Sequence, residues 1–425
     1  MNFEYDYILV GGGLQSGLIA LALRYHQPRA RILMVERNSQ LCGNHTWSFH
    51  PKDVNASAAP WVEAAVEVRW PQYRVKLHQF EKWVNLSYAS ISSSHFAKIV
   101  GDCFGDSNDS QSHCRLLLRT EVVAMTSNKI VTSTGEVYHA RLVVDCRGPR
   151  ALEDNRFEQC GYQKFWGFEV QLKSDWPFTV PTIMDDRIDQ LDGFRFIYSL
   201  PFEARRVLVE DTRFADNPSL DREECLTQVR RYLAELGIVD WSIVREESGV
   251  LPMPISKEHM PGVKAQKGHS ALAGGYSGGW FHAATGYSFP LAVSFAETLA
   301  STTPELASQA VQMLSRKHHT RSRFARFLNR LLFRLVKPTS RYQIFRRFYR
   351  VLSNESISRF YSHQFTLWDA FRIVVGVPPG GLRPVRFAKS FFARAEPRTK
   401  STFPVDLPGV EHHEPNESYS REFVK

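Results

Sequence analysis

An unbroken apolar run, YDYILV at residues 5–10, stops at three glycines. Beyond them, residues 14–24 place apolar side chains at the spacing of one helix face, and a second apolar run, RILMVE, occupies 31–36. Strand, glycine turn, helix and strand within about thirty residues predict a βαβ unit.

Further along, the period shortens. Residues 112–150 (HCRLLLR, EVVAMT, KIVTSTGEVYHA, RLVVDCRGP) and 161–211 (GYQKFWGFEVQLK, FRFIYSLPF, RRVLVEDTRF) read as short strands, candidates for an antiparallel sheet. Residues 220–236 read as a helix. SALAG at 270–274 reads as a short strand entering a second glycine-rich loop, with a helix from about Ser288.

Composition narrows the class. With 425 residues, 43% hydrophobic and 23% charged, the chain can bury a large core. A net charge of +9 points to an anionic partner. Six cysteines without a C-x-x-C pair give neither a disulfide framework nor a zinc spacing, so no metal is expected and a reducing cytoplasm is. The acidic opening MNFEYDY does not read as a signal peptide, and no apolar run is long enough for a membrane span.

The glycine turn carries the first chemistry. Gly11 permits a tight turn after the strand, and Gly13 lets a pyrophosphate approach the positive end of the helix. The third position of the usual fingerprint is Ser16, small enough to serve, unless Gly17 takes the role with a one-residue shift. Glu36 ends the second strand, where a carboxylate binds adenosine ribose hydroxyls. Two later stretches favour FAD over NAD. ARLVVDCRGP, with Asp145 and Gly148, resembles the second nucleotide-contacting strand of two-domain flavoproteins. ALAGGYSGGWFHAATGYSFPLAV, with Gly274 and Gly275, resembles the far side of the same site. In that fold the helix N-terminus faces the flavin edge, and its dipole stabilises the negative charge of the reduced ring.

The resemblance then becomes specific. The glycine motif, GNHTWSFH at 43–50, MDDRIDQLDGFRFIYSLPF at 184–202, LVEDTRF at 208–214, FHAATGYSFPLAV at 281–293 and RFYSHQFTLWDAFRIVVGVPP at 359–379 are together similar to the bacterial lycopene β-cyclase family. The resemblance spans about residue 5 to about 380. It implies closure of the ψ ends of a linear carotene into β-ionone rings, without net redox change. It also implies reduced FAD, with NADPH or NADH as the electron source. His45, Thr285, Gly286 and Tyr287 join the cofactor set, and Trp47, Trp280 and His282 line the substrate pocket or simply pack the loops. The loop after the late strand reads Gly-Gly-Tyr-Ser, without the acid that flavin hydroxylases carry there.

Ring closure needs an acid kept protonated by burial, π-density or negative charge facing a cation, and exclusion of water. Glu210 and Asp211 end an apolar strand and point to opposite faces. Glu210 matches the family's acidic motif and is expected to be the donor. Asp211 holds the strand end or shares the proton. The bland alternative is an acidic turn paired with Arg206 or Arg213.

Between Arg316 and Arg350 stand twelve lysines and arginines and no acid. Phe324, Phe327, Leu328, Leu331, Leu332 and Leu335 recur at helical spacing, with Arg323, Arg326, Arg330 and Arg334 nearby. Such a helix suits an anionic membrane interface, from which a polyene is taken directly; a core-packed helix with a solvated basic face is the alternative. No nucleic-acid motif accompanies the charge.

The expected fold is α/β: a two-domain, Rossmann-like FAD-binding flavoprotein with an antiparallel substrate sheet and a C-terminal helical region. We divide it into FAD-binding parts 1–75, 96–160 and 266–315, substrate parts 76–95 and 161–265, a basic amphipathic region 316–394 and a flexible tail 395–425. The expected location is the cytoplasmic face of the inner membrane, as a peripheral protein, with other carotenoid enzymes as possible partners. The rival readings are a flavin-dependent reductase or hydroxylase of a prenyl lipid, and a non-catalytic membrane-binding flavoprotein.

Overall fold

The computed structural model describes residues 3–105, 113–148, 160–256 and 270–375. The segment read as a flexible tail, 395–425, lies outside them.

The opening run forms strand Tyr5–Val10, and helix Leu14–His26 follows. The strand pairs in parallel with Ile32–Val35 on one side and Val137–Asp145 on the other. Cys114–Leu117 and Leu272–Ala273 extend this parallel sheet at either side. Among the described residues, only Val122–Met125 and Lys129–Thr132 add antiparallel strands. The reading of 112–150 as candidate antiparallel strands holds for Val122–Met125 and Lys129–Thr132 but is corrected for Cys114–Leu117, which is parallel to Ile32–Val35, and for Val137–Asp145, which also pairs in parallel with Tyr5–Val10; all four lie in one sheet. Local alternation does not encode the direction of a distant partner. Buried Tyr7 and Leu9 pack toward the helices, and Ile8 and Val10 toward the other face.

A second, seven-stranded sheet runs in the order Trp241–Met253, Gly161–Leu172, Arg206–Ala215, Gly193–Glu203, Thr182–Asp185, Tyr73–Leu77, Phe80–Val84. It is antiparallel except where Thr182–Asp185 meets Tyr73–Leu77. One face buries Phe168, Val170, Ile197, Val207 and Val209 under helix Arg222–Glu235. The other carries Phe194, Phe196 and Phe214 and packs against helices Tyr342–Val351 and Asn354–Tyr361. A small three-stranded sheet, Thr46–Phe49, Tyr88–Ser92 and Val68–Trp70, stands beside them.

The basic segment is not one helix. Helix Pro304–Arg330 ends in a wider π turn at Leu331–Leu335, and a new helix begins at Tyr342. Its buried face holds Ser322, Ala325, Arg326 and Asn329, whereas Phe324, Phe327, Leu328 and Leu331 are half-buried. Asn329 Nδ2 donates to the carbonyls of Pro254 (2.9 Å) and Ala283 (2.6 Å). Hydrogen bonding to loop backbone, which hydrophobic spacing does not report, thus sets the helix's rotation.

Candidate active site

At the first turn, Gly11 has φ +96°, and a Cβ there would lie 3.0 Å from the Arg147 backbone. The Gly12 amide donates to Glu36 Oε2 at 2.6 Å, and a Cβ on Gly12 would meet Leu41 at 2.5 Å. Glu36 Oε1 accepts from the Asn38 amide at 2.8 Å, so the carboxylate braces the turn. Gly13 caps the helix, and among the described residues nothing lies within 4 Å of a Cβ position and no side chain bonds the free amides. An open, positively polarised helix end beside a glycine turn suits a pyrophosphate.

Ser16 and Gly17 divide the third-glycine role. The Ser16 hydroxyl donates to the Gly11 carbonyl. Gly17 faces helix Ser93–Asp102, where a Cβ would lie 2.5 Å from Phe96 and 2.8 Å from Val100.

Asp145 ends its strand but is engaged by Arg147, whose Nε and Nη2 both donate to it at 2.9 Å. Gly148 follows, with no described residue within 4 Å of a Cβ position. Gly274 closes on Gln15 and Cys146, and the Gly275 amide donates to Gln15 Oε1 at 3.2 Å. The second glycine loop is thereby brought to the start of the first helix.

The loop 282–287 is a closed turn: the His282 amide donates to the Tyr287 carbonyl, and the Thr285 and Gly286 amides donate to that of His282. Gly286 has φ +66° and packs on Leu251. The Tyr287 hydroxyl donates to Asp53 Oδ2 at 3.2 Å. His282 is fully buried: Nε2–H donates to the Phe360 carbonyl and Nδ1 accepts from Ala284. Trp280 is buried against Phe295 and His318 and donates to the Ala273 carbonyl. Trp47 sets its edge on Phe96, and His45 is exposed, its amide on Ser93. These side chains tie loops together, which is the packing alternative for Trp280 and His282.

The two acids of LVEDT separate as strand alternation dictates. Asp211 turns to the helix-covered face. There Arg195 Nε donates to its Oδ1 at 2.8 Å, Arg195 Nη2 to its Oδ2, and Arg213 adds 3.2 Å to Oδ2. That environment holds a strand and is remote from any shared proton with Glu210. Glu210 points to the opposite face, opposite Tyr198 on one neighbouring strand and Gly167 on the other. It is 8% exposed and accepts from the Thr212 hydroxyl. Burial, then the nearby Glu247 carboxylate, raise its pKa well above the ordinary carboxyl value; the Thr212 bond acts the other way.

Around Glu210 the wall is aromatic. The Tyr88 and Tyr198 hydroxyls share a hydrogen bond of 3.1 Å. Tyr73 and Tyr88 rings lie 5.4 Å apart, and His50 sits against both, with Nε2 3.2 Å from the Tyr73 hydroxyl. Glu247, Gly167, Tyr88 and Tyr198 were not singled out from the sequence. Glu247 lies in EESG with no spacing signal, and Gly167 is one glycine in a strand. Among the described residues no group of His, Cys, Asp and Glu is arranged to hold a metal ion.

The fold is similar to that of FAD-dependent oxygenases and reductases. A geranylgeranyl bacteriochlorophyll reductase-like protein from Thermoplasma acidophilum superposes with a TM-score of 0.53 at 12% identity, over 87% of this chain and 95% of that one. A probable FAD-dependent monooxygenase from Pseudomonas aeruginosa gives 0.54 at 14% identity, over 77% and 96%. Within that class, the family model described as lycopene cyclase protein matches residues 6–386. The lycopene beta-cyclase of Pantoea ananas is 37% identical over 89% of this chain and 96% of its own length. That of Paracoccus sp. is 32% identical over 88% and 94%. The chain belongs to the lycopene cyclase family.

Proposed function

We propose that this protein is a lycopene β-cyclase that closes the ψ ends of lycopene by proton addition, giving γ- and β-carotene as an isomerase without net redox change. The observation that carries this reading is the buried Glu210, its pKa raised by burial and by Glu247, on an aromatic wall in a member of this family. Glu210 delivers its proton to a terminal double bond. The neighbouring double bond attacks the tertiary cation and closes the ring. The Glu210 carboxylate then takes a proton from the new ring, so the acid is regenerated. Tyr198, Tyr88 and Tyr73 present π faces to the cation, and the apolar setting keeps out water that would trap it.

The dinucleotide turn fits FAD: Gly11, Gly13 and the open helix end would take the pyrophosphate, Glu36 the ribose, and the loops around Gly148, Gly274–Gly275 and Thr285–Tyr287 the remainder. Held by these residues and reduced by NADPH or NADH, FAD would supply negative charge toward the cation.

The proposal extends to the lipid surface. Among the described residues no helix is long and apolar enough to cross a membrane. Helix Leu367–Val374, however, leaves Leu367 91% and Trp368 64% exposed, with Phe371, Val374 and Val375 beside them. Phe365 at its start packs on Phe324, whose helix carries exposed Arg321 and Arg323. Exposed apolar residues including a tryptophan, next to arginines, suit peripheral binding to an anionic leaflet, from which lycopene is drawn.

Expression in a lycopene-accumulating bacterium, followed by chromatography, tests the activity. Conversion to β-carotene, lost in Glu210→Ala with FAD retained, is expected. Unchanged lycopene with folded, FAD-loaded protein, or a reduced or hydroxylated product, overturns the reading.

A further inference from the structure

We infer that Glu247 is a positioning residue for Glu210: a fixed carboxylate that keeps Glu210 protonated at rest and makes it a strong base once its proton has left. The inference rests on the reading of Glu210 as the proton donor.

Gly167 is in register with Glu210 on one neighbouring strand and with Glu247 on the other. Residues in one row across a sheet share a face, so both glutamates stand on the side that carries Tyr198. Between them is a residue without a side chain. A Cβ on Gly167 would lie 3.1 Å from Glu247 Cγ and 3.5 Å from Glu210 Cβ. The stems of both glutamates thus close on the same bare spot of the middle strand, which Leu208 Cδ1 also reaches at 3.1 Å, and the Glu247 charge acts on Glu210 across it.

Their surroundings differ. Glu247 Oε2 accepts from Arg245 Nη1 at 2.7 Å and from the Thr46 hydroxyl at 2.7 Å. Arg245 is itself held by Glu169 (2.9 Å) and Asn44 (3.0 Å). Asn44 and Thr46 come from the GNHTW stretch, which thereby acquires a physical task. Among the described residues Glu210 has no cation partner, only the Thr212 hydroxyl. The other ionisable groups around it are Tyr198 across the strand and Tyr88 from the small sheet. His45 lies on the loop over Glu247, Arg245 and Glu169 lie one row along, and Asp211 is on the reverse face, neutralised by Arg195. Two neighbouring carboxylates do not both ionise easily, and the one with a guanidinium partner keeps the charge. The proton therefore rests on Glu210.

The consequence runs through the reaction. The Glu210 O–H bond breaks as a C–H bond forms on the alkene. Two carboxylates then stand on either side of the middle strand. Re-forming the O–H bond at the expense of a ring C–H bond relieves that repulsion and ends the reaction at the cyclic alkene. No electrons are exchanged.

The test is an infrared pH titration of the FAD-loaded protein, following the protonated-carboxyl band that Glu210→Gln removes. It needs no carotene, so its failure is distinct from failure of the cyclase reading. In Glu247→Gln the midpoint is expected to fall by about one pH unit or more, with the alkaline limb of cyclisation falling in step. Glu247→Asp, which keeps the charge, is expected to stay within about half a unit of the parent. An unmoved or raised midpoint in Glu247→Gln overturns the inference, even if turnover drops. So does a fall in Glu247→Asp as large as in Glu247→Gln.

Discussion

Asp211 and Arg195 form an ion pair in which neither side chain reaches solvent, one residue along the strand from Glu210 and on the opposite face of the sheet. Adjacent acids thus have opposite tasks. Removing one partner of a buried pair leaves an uncompensated charge, a loss of about 3–5 kcal/mol. Asp211→Ala is expected to lower the denaturation midpoint accordingly, while the folded fraction keeps the parent's pH profile. Glu210→Gln is expected to abolish cyclisation at little cost in stability. Because the Glu210 pKa is raised on folding, its contribution is fully present below the ordinary carboxyl range and is lost as pH rises through the raised value. Glu210→Gln should therefore flatten the alkaline fall in stability, read by urea titration at stepped pH.

Gly17 is the residue on which helix Leu14–His26 meets helix Ser93–Asp102. With Phe96 and Val100 at 2.5 and 2.8 Å from a Cβ position, Gly17→Val must push the helices apart. A loss of about 1–3 kcal/mol is expected, with weaker flavin retention, measured by thermal melting and flavin absorbance. Ser16→Gly, which removes only the hydroxyl bond to Gly11, should cost less. Equal losses would contradict this division of roles.

Three buried histidines tie the C-terminal helices to the loop 279–284. The His282 and His363 rings lie 3.9 Å apart, and His318 and His363 5.3 Å. His318 Nε2–H donates to the Gly279 carbonyl at 2.9 Å. Burial depresses His282 to about 3 and His318 to about 4, and lowers His363 well below its ordinary value. For a group depressed on folding, stability is present above the unfolded value and lost as pH falls through the folded one. Stability should therefore drop between about pH 6.5 and about pH 3. His318→Gln is expected to blunt that drop, followed by melting temperature against pH.

Helix Leu367–Val374 is the element expected to enter lipid. The double variant Trp368→Ser, Phe371→Ser removes its two stacked rings, 5.3 Å apart, from the surface. Flotation with vesicles containing anionic lipid should show binding at least about tenfold weaker, with folding intact. Undiminished flotation would move the contact elsewhere.

Features held within a short stretch of chain were legible. The strand, turn and helix at residues 5–26 follow from apolar run, glycines and period, and the opposed directions of Glu210 and Asp211 follow from strand alternation. What depends on distant pairing was not. Cys114–Leu117 is parallel because it meets Ile32–Val35, and nothing in its own residues says so. Glu247 reaches Glu210 only because both strands flank Gly167. The rotation of helix Pro304–Arg330 is set by Asn329 bonding to two loops, which leaves Phe324 and Phe327 half-buried, and hydrophobic spacing alone did not decide between a membrane-facing and a core-packed stripe.

The most direct test of the central claim is anaerobic turnover by protein whose flavin has been reduced once, with no further reductant. The account predicts many β-carotene molecules per flavin, product mass equal to substrate mass, and a flavin that stays reduced. One product per flavin, with the flavin oxidised as it forms, would contradict it.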